Sequence, residues 1–130
     1  MTDTELCRAA VDVMKNAYAP YSDFLVGAAL LCGDGSVFTG CNIENASFSA
    51  TVCAERTAIF KAVSEGKKDF MKIAIAGGKG GKITSACSPC GVCRQVLSEF
   101  CRPDFQVLLV TPDGFERYTL SELLPKVFKI

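Results

Sequence analysis

Two short segments carry side chains that together could bind a metal ion and move a proton: Cys53-Ala54-Glu55 and Pro89-Cys90-Gly91-Val92-Cys93. Cys90 and Cys93 are three residues apart, which sets both sulfurs on one side of a helix's first turn, within reach of one ion. Cys53 supplies a third thiolate. Three protein ligands leave one position of a tetrahedral Zn²⁺ open, as a catalytic site requires and a structural site does not. Glu55, two residues after Cys53, points away from the ligand face of a regular helix. It is poorly placed to ligate and well suited to carry protons.

Both groups fall at predicted helix starts, where free N–H groups and the positive end of the helix dipole favour thiolates over thiols. Three thiolates on one Zn²⁺ leave a net negative charge, which disfavours hydroxide. Arg56, three residues after Cys53 and on its face, could offset that charge by donating hydrogen bonds to the sulfurs. Alone, Cys90 and Cys93 also fit a structural zinc knuckle or two core thiols. A non-enzymatic zinc-binding interaction module would leave Glu55 and the open position without a purpose. Cys87, three residues before Cys90, could be a fourth ligand that closes the site; because it precedes the helix start, it is read as a half-buried bystander.

Composition narrows the setting. The chain has 130 residues, taken as a single domain spanning 1–130, with 49% hydrophobic residues, nine Phe and no Trp, which predicts a packed globule. So high an apolar share in a small chain leaves apolar surface that a homo-oligomer would cover. Lys+Arg and Asp+Glu are both 14, so no nucleic acid partner is expected. The polar, acidic start lacks the features of a signal peptide, and no apolar run is long enough for a membrane span, so a cytoplasmic protein without a membrane partner is expected. Eight Cys in that setting read as reduced thiols and metal ligands, with Cys7, Cys32, Cys41 and Cys101 as small core residues.

The elements that must position these residues follow from pattern. Thr2-Asp3-Thr4-Glu5 is a capping box opening a helix over 3–18, which Pro20 stops. Val26–Leu31 and Ser36–Cys41 flank Gly33-Asp34-Gly35 as a β-hairpin. Residues 42–52 form a loop, and a helix runs from Cys53 to a Gly66 C-cap. Met71–Ala76 is a buried strand, and Gly77–Lys82 a loop that fails the phosphate-loop pattern at Ala76 and Ile83. A helix over Cys90–Phe100, strands over Gln106–Val110 and Phe115–Thr119, a helical turn at Ser121–Leu124 and a tail from Pro125 complete the chain. The order α-β-β-α-β-α-β-β-α predicts an α/β fold with a mixed sheet and helices on both faces.

With these motifs in hand, the chain from about Tyr18 onward resembles the small homotetrameric cytidine deaminases of the three-cysteine zinc type. Phe24-Leu25-Val26-Gly27-Ala28-Ala29 is similar to the family's first-strand segment, and Gly40-Cys41-Asn42-Ile43-Glu44-Asn45-Ala46-Ser47 to its ribose-binding segment. The resemblance implies a three-layer αβα fold with a mixed five-stranded sheet, one Zn²⁺ per chain on Cys53, Cys90 and Cys93, and Glu55 as acid/base. It implies hydrolysis of free cytidine and 2'-deoxycytidine to uridine and 2'-deoxyuridine with release of ammonia, in pyrimidine salvage. Phe24 would pack on the base, Asn42 and Glu44 would hold the sugar hydroxyls, and the backbone at Ala54 and Ser88 would read the pyrimidine edge. An amide and a carboxylate two residues apart are also, on their own chemistry, able to orient a diol. Ala46, Phe48 and Phe128 would reach a neighbouring subunit's pocket, in a homotetramer whose active sites are shared. The family commonly has an aromatic at the position of Phe48, often with a hydroxyl, and Phe would remove one hydrogen bond across subunits.

Two other deaminase classes stand beside this expectation. One acts on another cytosine nucleoside such as blasticidin S, against which Asn42-Ile43-Glu44-Asn45 favours a plain ribose. The other acts on polynucleotides, which needs a basic groove and stacking platforms that a short, neutral chain does not offer.

Overall fold

The structure is a computed structural model that describes residues 1–130. Thr2 caps helix α1 (Asp3–Val13): its hydroxyl accepts the Glu5 N–H while the Glu5 side chain accepts the Thr2 N–H, as the capping box predicts. The helix is shorter than the expected 3–18. It tightens into a 3₁₀ turn at Met14–Asn16, and Tyr18 then leaves to pair with a later segment, accepting from Glu44 N–H and donating to the Asn42 carbonyl. That exchange ends the helix before Pro20.

Strands β1 (Phe24–Cys32) and β2 (Val37–Cys41) form the expected hairpin, and helix α2 spans Ala54–Ser64 with Cys53 as its N-cap. Strand β3 (Phe70–Lys79), helix α3 (Gly91–Phe100), strands β4 (Gln106–Thr111) and β5 (Gly114–Thr119) and the short helix α4 (Leu120–Leu123) follow. The strands form one mixed sheet in the order β2-β1-β3-β4-β5, with only β3 and β4 parallel.

Alternation along the strands divides the core between the two faces. Leu6 and Ala10 of α1 and Met14 of the 3₁₀ turn pack on Ala29, Leu31, Ala74, Ala76, Leu108 and Val110. Ala54, Ala58, Ile59 and Ala62 of α2 and Leu97 of α3 pack on Val26, Ala28, Leu30, Ile73, Ile75, Val107 and Leu109. This is the expected three-layer αβα arrangement.

The stretch read as a loop over Gly77–Lys82 is corrected. Gly77, Gly78 and Lys79 continue β3, opposite Val26, Leu25 and Phe24. Two glycines carry no side-chain pattern to read, and both are crowded. A Cβ on Gly78 would lie 1.9 Å from the Lys82 carbonyl oxygen, and one on Gly77 2.9 Å from the Cys87 sulfur. The turn itself is made by Gly80 and Gly81, both at positive φ.

Candidate active site

Helices α2 and α3 aim their N-terminal ends at one place, and Cys53 and Cys90 are their N-caps. The Cys90 sulfur also accepts the Cys93 N–H at 3.5 Å, which folds the first turn of α3 around it. Small residues let α2 come close. A Cβ on Gly40 of β2 would lie 2.5 Å from the Ala58 nitrogen and 2.7 Å from the Ala54 carbonyl oxygen, so glycine there lets the helix rest on the strand.

Cys53, Cys90 and Cys93 come together with all three sulfurs within 4.8 Å of one another. Cys53 and Cys90 are 3.9 Å apart and Cys90 and Cys93 3.4 Å. Sulfurs bound tetrahedrally at about 2.3 Å from one ion are about 3.8 Å apart, so the spacing fits Zn²⁺. The Cys93 thiol beside it, with Arg56, holds Cys53 well below the usual thiol range despite burial. Arg56 stands where expected, donating from Nη2 to the Cys53 sulfur at 3.5 Å. Its buried Nε has no hydrogen-bond partner.

Glu55 is 4% exposed and lines the same pocket as Cys53 and Cys90, with Phe24, Asn42, Glu44, Cys87 and Ser88. Burial raises its carboxyl to about 7, and the neighbouring Cys53 charge acts in the same direction. A carboxyl poised there can both take and give a proton at neutral pH. The pocket's free volume is about 240 Å³.

The expected sugar-binding pair is more committed than the sequence suggests. Asn42 donates from Nδ2 to the Phe24 carbonyl at 2.8 Å and accepts the Val26 N–H at 2.9 Å through Oδ1, so it also anchors the start of β1. Glu44 accepts the Tyr21 and Ser22 N–H groups at 2.9 and 3.1 Å and the Ser22 hydroxyl on its other oxygen. These bonds hold its carboxyl below the usual carboxylate range, the Ser22 hydroxyl most of all. Ser22 was missed: its only sequence signal was its place beside Pro20-Tyr21, and its partner lies 22 residues away.

Ala54 is fully buried between Cys53 and Glu55 in the chain and does not itself line the pocket. Ala46, Phe48 and Phe128 are not brought to the pocket of their own chain. Phe48, 79% exposed, packs edge-on against Tyr21, and Phe128, 67% exposed, lies on the tail, where Gln95 donates to its carbonyl. Cys87 is half-buried and lines the pocket outside the three-sulfur cluster, with burial raising its thiol to about 11.

Residues 1–109 match the family model described as the zinc-binding region of cytidine and deoxycytidylate deaminases. The chain is 49% identical over 124 residues to a cytidine deaminase of Halalkalibacterium halodurans, an overlap of 95% of this chain and 91% of that protein. The crystal structure of a cytidine deaminase from Burkholderia pseudomallei shares the fold with a TM-score of 0.91 at 43% identity, over 98% of this chain and 100% of the other. A blasticidin-S deaminase of Bacillus cereus is 33% identical over 127 residues, covering 95% of this chain and 89% of its own.

Proposed function

The chain belongs to the cytidine and deoxycytidylate deaminase family, and from that premise we propose that it hydrolyses free cytidine and 2'-deoxycytidine to the uridine nucleosides and ammonia. The observation that carries the reading is a buried carboxyl near neutrality, Glu55, sharing a small pocket with Cys53 and Cys90, two of three converging thiols. Cys53, Cys90 and Cys93 hold one Zn²⁺ per chain. When bound, Zn²⁺ supplies the Lewis acidity that brings the ionisation of water from about 15.7 towards about 7. Glu55 accepts the proton of that water and passes it to N3 of the pyrimidine. It then takes the second proton from the hydroxyl now on C4 and delivers it to the amine, so that ammonia leaves and the oxygen stays on C4 as the carbonyl. Asn42 and Glu44 bind the sugar, Phe24 packs on the base, and the backbone at Ala54 and Ser88 reads the pyrimidine edge. Ala46, Phe48 and Phe128 complete a neighbouring subunit's pocket in a homotetramer. The reaction serves pyrimidine salvage in the cytoplasm, and no helix of the chain is long and apolar enough to cross a membrane.

The test is ammonia release from cytidine, deoxycytidine and blasticidin S by zinc-loaded protein and by Glu55→Gln. The amide keeps the shape but cannot shuttle protons, so Glu55→Gln should keep fold and zinc and lose turnover by at least the upper part of the 10²–10⁴-fold range of general acid–base catalysis, about 10⁴-fold. Near-normal turnover by the variant would remove Glu55 from the reaction. Preferential turnover of blasticidin S would instead place the chain with that class of deaminase.

A further inference from the structure

Between the end of β3 and the start of α3 the chain carries Ser88, Pro89 and the Cys90 ligand with little backbone support. Residues 83–89 take part in no backbone–backbone hydrogen bond. Both side-chain hydrogen bonds that reach them come from Arg94. Its Nε donates to the Pro89 carbonyl at 2.7 Å and its Nη2 to the Ser88 hydroxyl at 2.7 Å. The third arm, Nη1, donates at 2.6 Å to the carbonyl of Leu123 at the end of α4.

We infer that Arg94 is the positioning residue of the ligand segment, fixing Ser88 and Pro89 against α4 and so setting where Cys90 presents its sulfur. A planar guanidinium has diverging donors that three separate acceptors can share, whereas an ammonium on a flexible stem cannot hold all three in this geometry. The Leu123 carbonyl is one of the acceptors a helix end leaves without an internal partner, so Arg94 supports the ligand segment and satisfies α4 at once. The tail follows the same support. Gln95 donates to the Phe128 carbonyl at 3.1 Å, and Lys129 donates to the Ser98 carbonyl at 2.7 Å. Helix α3 thus carries the ligands at its start and the tail along its side, with Arg94 between them. Neither the cysteine spacing nor Glu55 requires an arginine here; its function is to hold backbone and ligand in register.

The test compares wild type with Arg94→Met and Arg94→Lys, all zinc-loaded. Three quantities are measured: the rate at which zinc passes to excess chelator, kcat and KM with cytidine, and the thermal unfolding midpoint. Substitutions that disturb ligand orientation typically cost about 10–100-fold in metal affinity or activity, and Arg94→Met should release zinc faster by a factor in that range. kcat should fall more than KM rises, and Arg94→Lys should recover only part of the loss. Ser88→Ala should release zinc faster by a smaller factor and add nothing on top of Arg94→Met, since both remove one shared contact. A merely structural brace would lower the unfolding midpoint and leave zinc release and kcat at wild-type values in the folded protein; that result overturns the inference. If Arg94→Met does not fold, Arg94→Lys decides by the same two readings. The kcat arm rests on the deaminase reading and the zinc-release arm does not, so an inactive wild type would count against that reading alone.

Discussion

Cys87 lies in the same pocket wall as Cys90 yet stands apart from it in kind. Its sulfur packs where a Gly77 side chain would be, and its thiol is pushed up to about 11 by burial, with the Glu55 and Cys53 charges adding to the effect. Its sulfur lies outside the three-sulfur cluster, and a fourth sulfur would fill the position that the reacting water needs. Cys87→Ala should therefore keep one zinc per chain and substantial turnover, and Cys90→Ala should lose the metal; elemental analysis of both reads the outcome. Zinc loss from Cys87→Ala would mean the ligand set is misassigned. The meeting of the three sulfurs beside the pocket that holds Glu55 was legible in the sequence because residue types suited to ligation and proton transfer stand there at short spacings. Ser22 and Arg94 were not: one meets Glu44 from 22 residues away, and the other binds carbonyls and a hydroxyl, partners that leave no spacing rule behind.

Helices and strands place these residues through contacts that leave almost no room. Gly40→Ala would push a methyl into the backbone of α2 at Ala54 and Ala58, the turns that follow Cys53 and carry Glu55. Overpacking of this kind costs about 1–3 kcal/mol, so the unfolding midpoint should drop, and kcat should fall even at temperatures where the variant is fully folded. A wild-type kcat from Gly40→Ala would show that the site tolerates movement of α2. On the other face, α1 is tied to the sheet by Asp3, which accepts from Lys72 at 2.8 Å and from Arg117 at 2.5 Å. The Lys72 and Arg117 bonds hold its carboxyl below the usual range. A carboxylate whose folded pKa is depressed contributes stability above its unfolded value near about 3.9, and loses it as pH falls through the folded one. Asp3→Asn should thus destabilise by up to about 1 kcal/mol at pH 7 and by nothing once pH is below both values, read as unfolding midpoints across pH. An unchanged difference at low pH would assign the effect to packing. Element types and order were readable from periodicity, since the strands alternate between two buried faces. The extension of β3 through Gly77 and Gly78 was not, because glycines kept for close approach resemble glycines kept for a turn.

At the scale of the molecule, the aromatic residues left outside are the informative ones. Tyr21, Phe48 and Phe128 are each more than half exposed, and none of the three lines the pocket that holds Glu55 in the same chain. Leaving aromatic surface in water forgoes about 25 cal/mol for each Å² that a second copy could cover, which favours association. If Phe128 completes a neighbour's pocket, Phe128→Ala should weaken nucleoside binding, seen as a raised KM, while zinc content stays at one per chain. Glu55→Gln fails for a different reason, in the pocket of its own chain. Co-expressing the two variants builds mixed oligomers in which some pockets pair an intact Glu55 from one chain with an intact Phe128 from another. Those pockets should bind with wild-type affinity, so the mixture should show a low-KM component that neither variant shows alone. A monomeric elution profile at working concentration, or no such component in verified mixed oligomers, would confine the site to one chain and leave the three thiols and Glu55 in their roles.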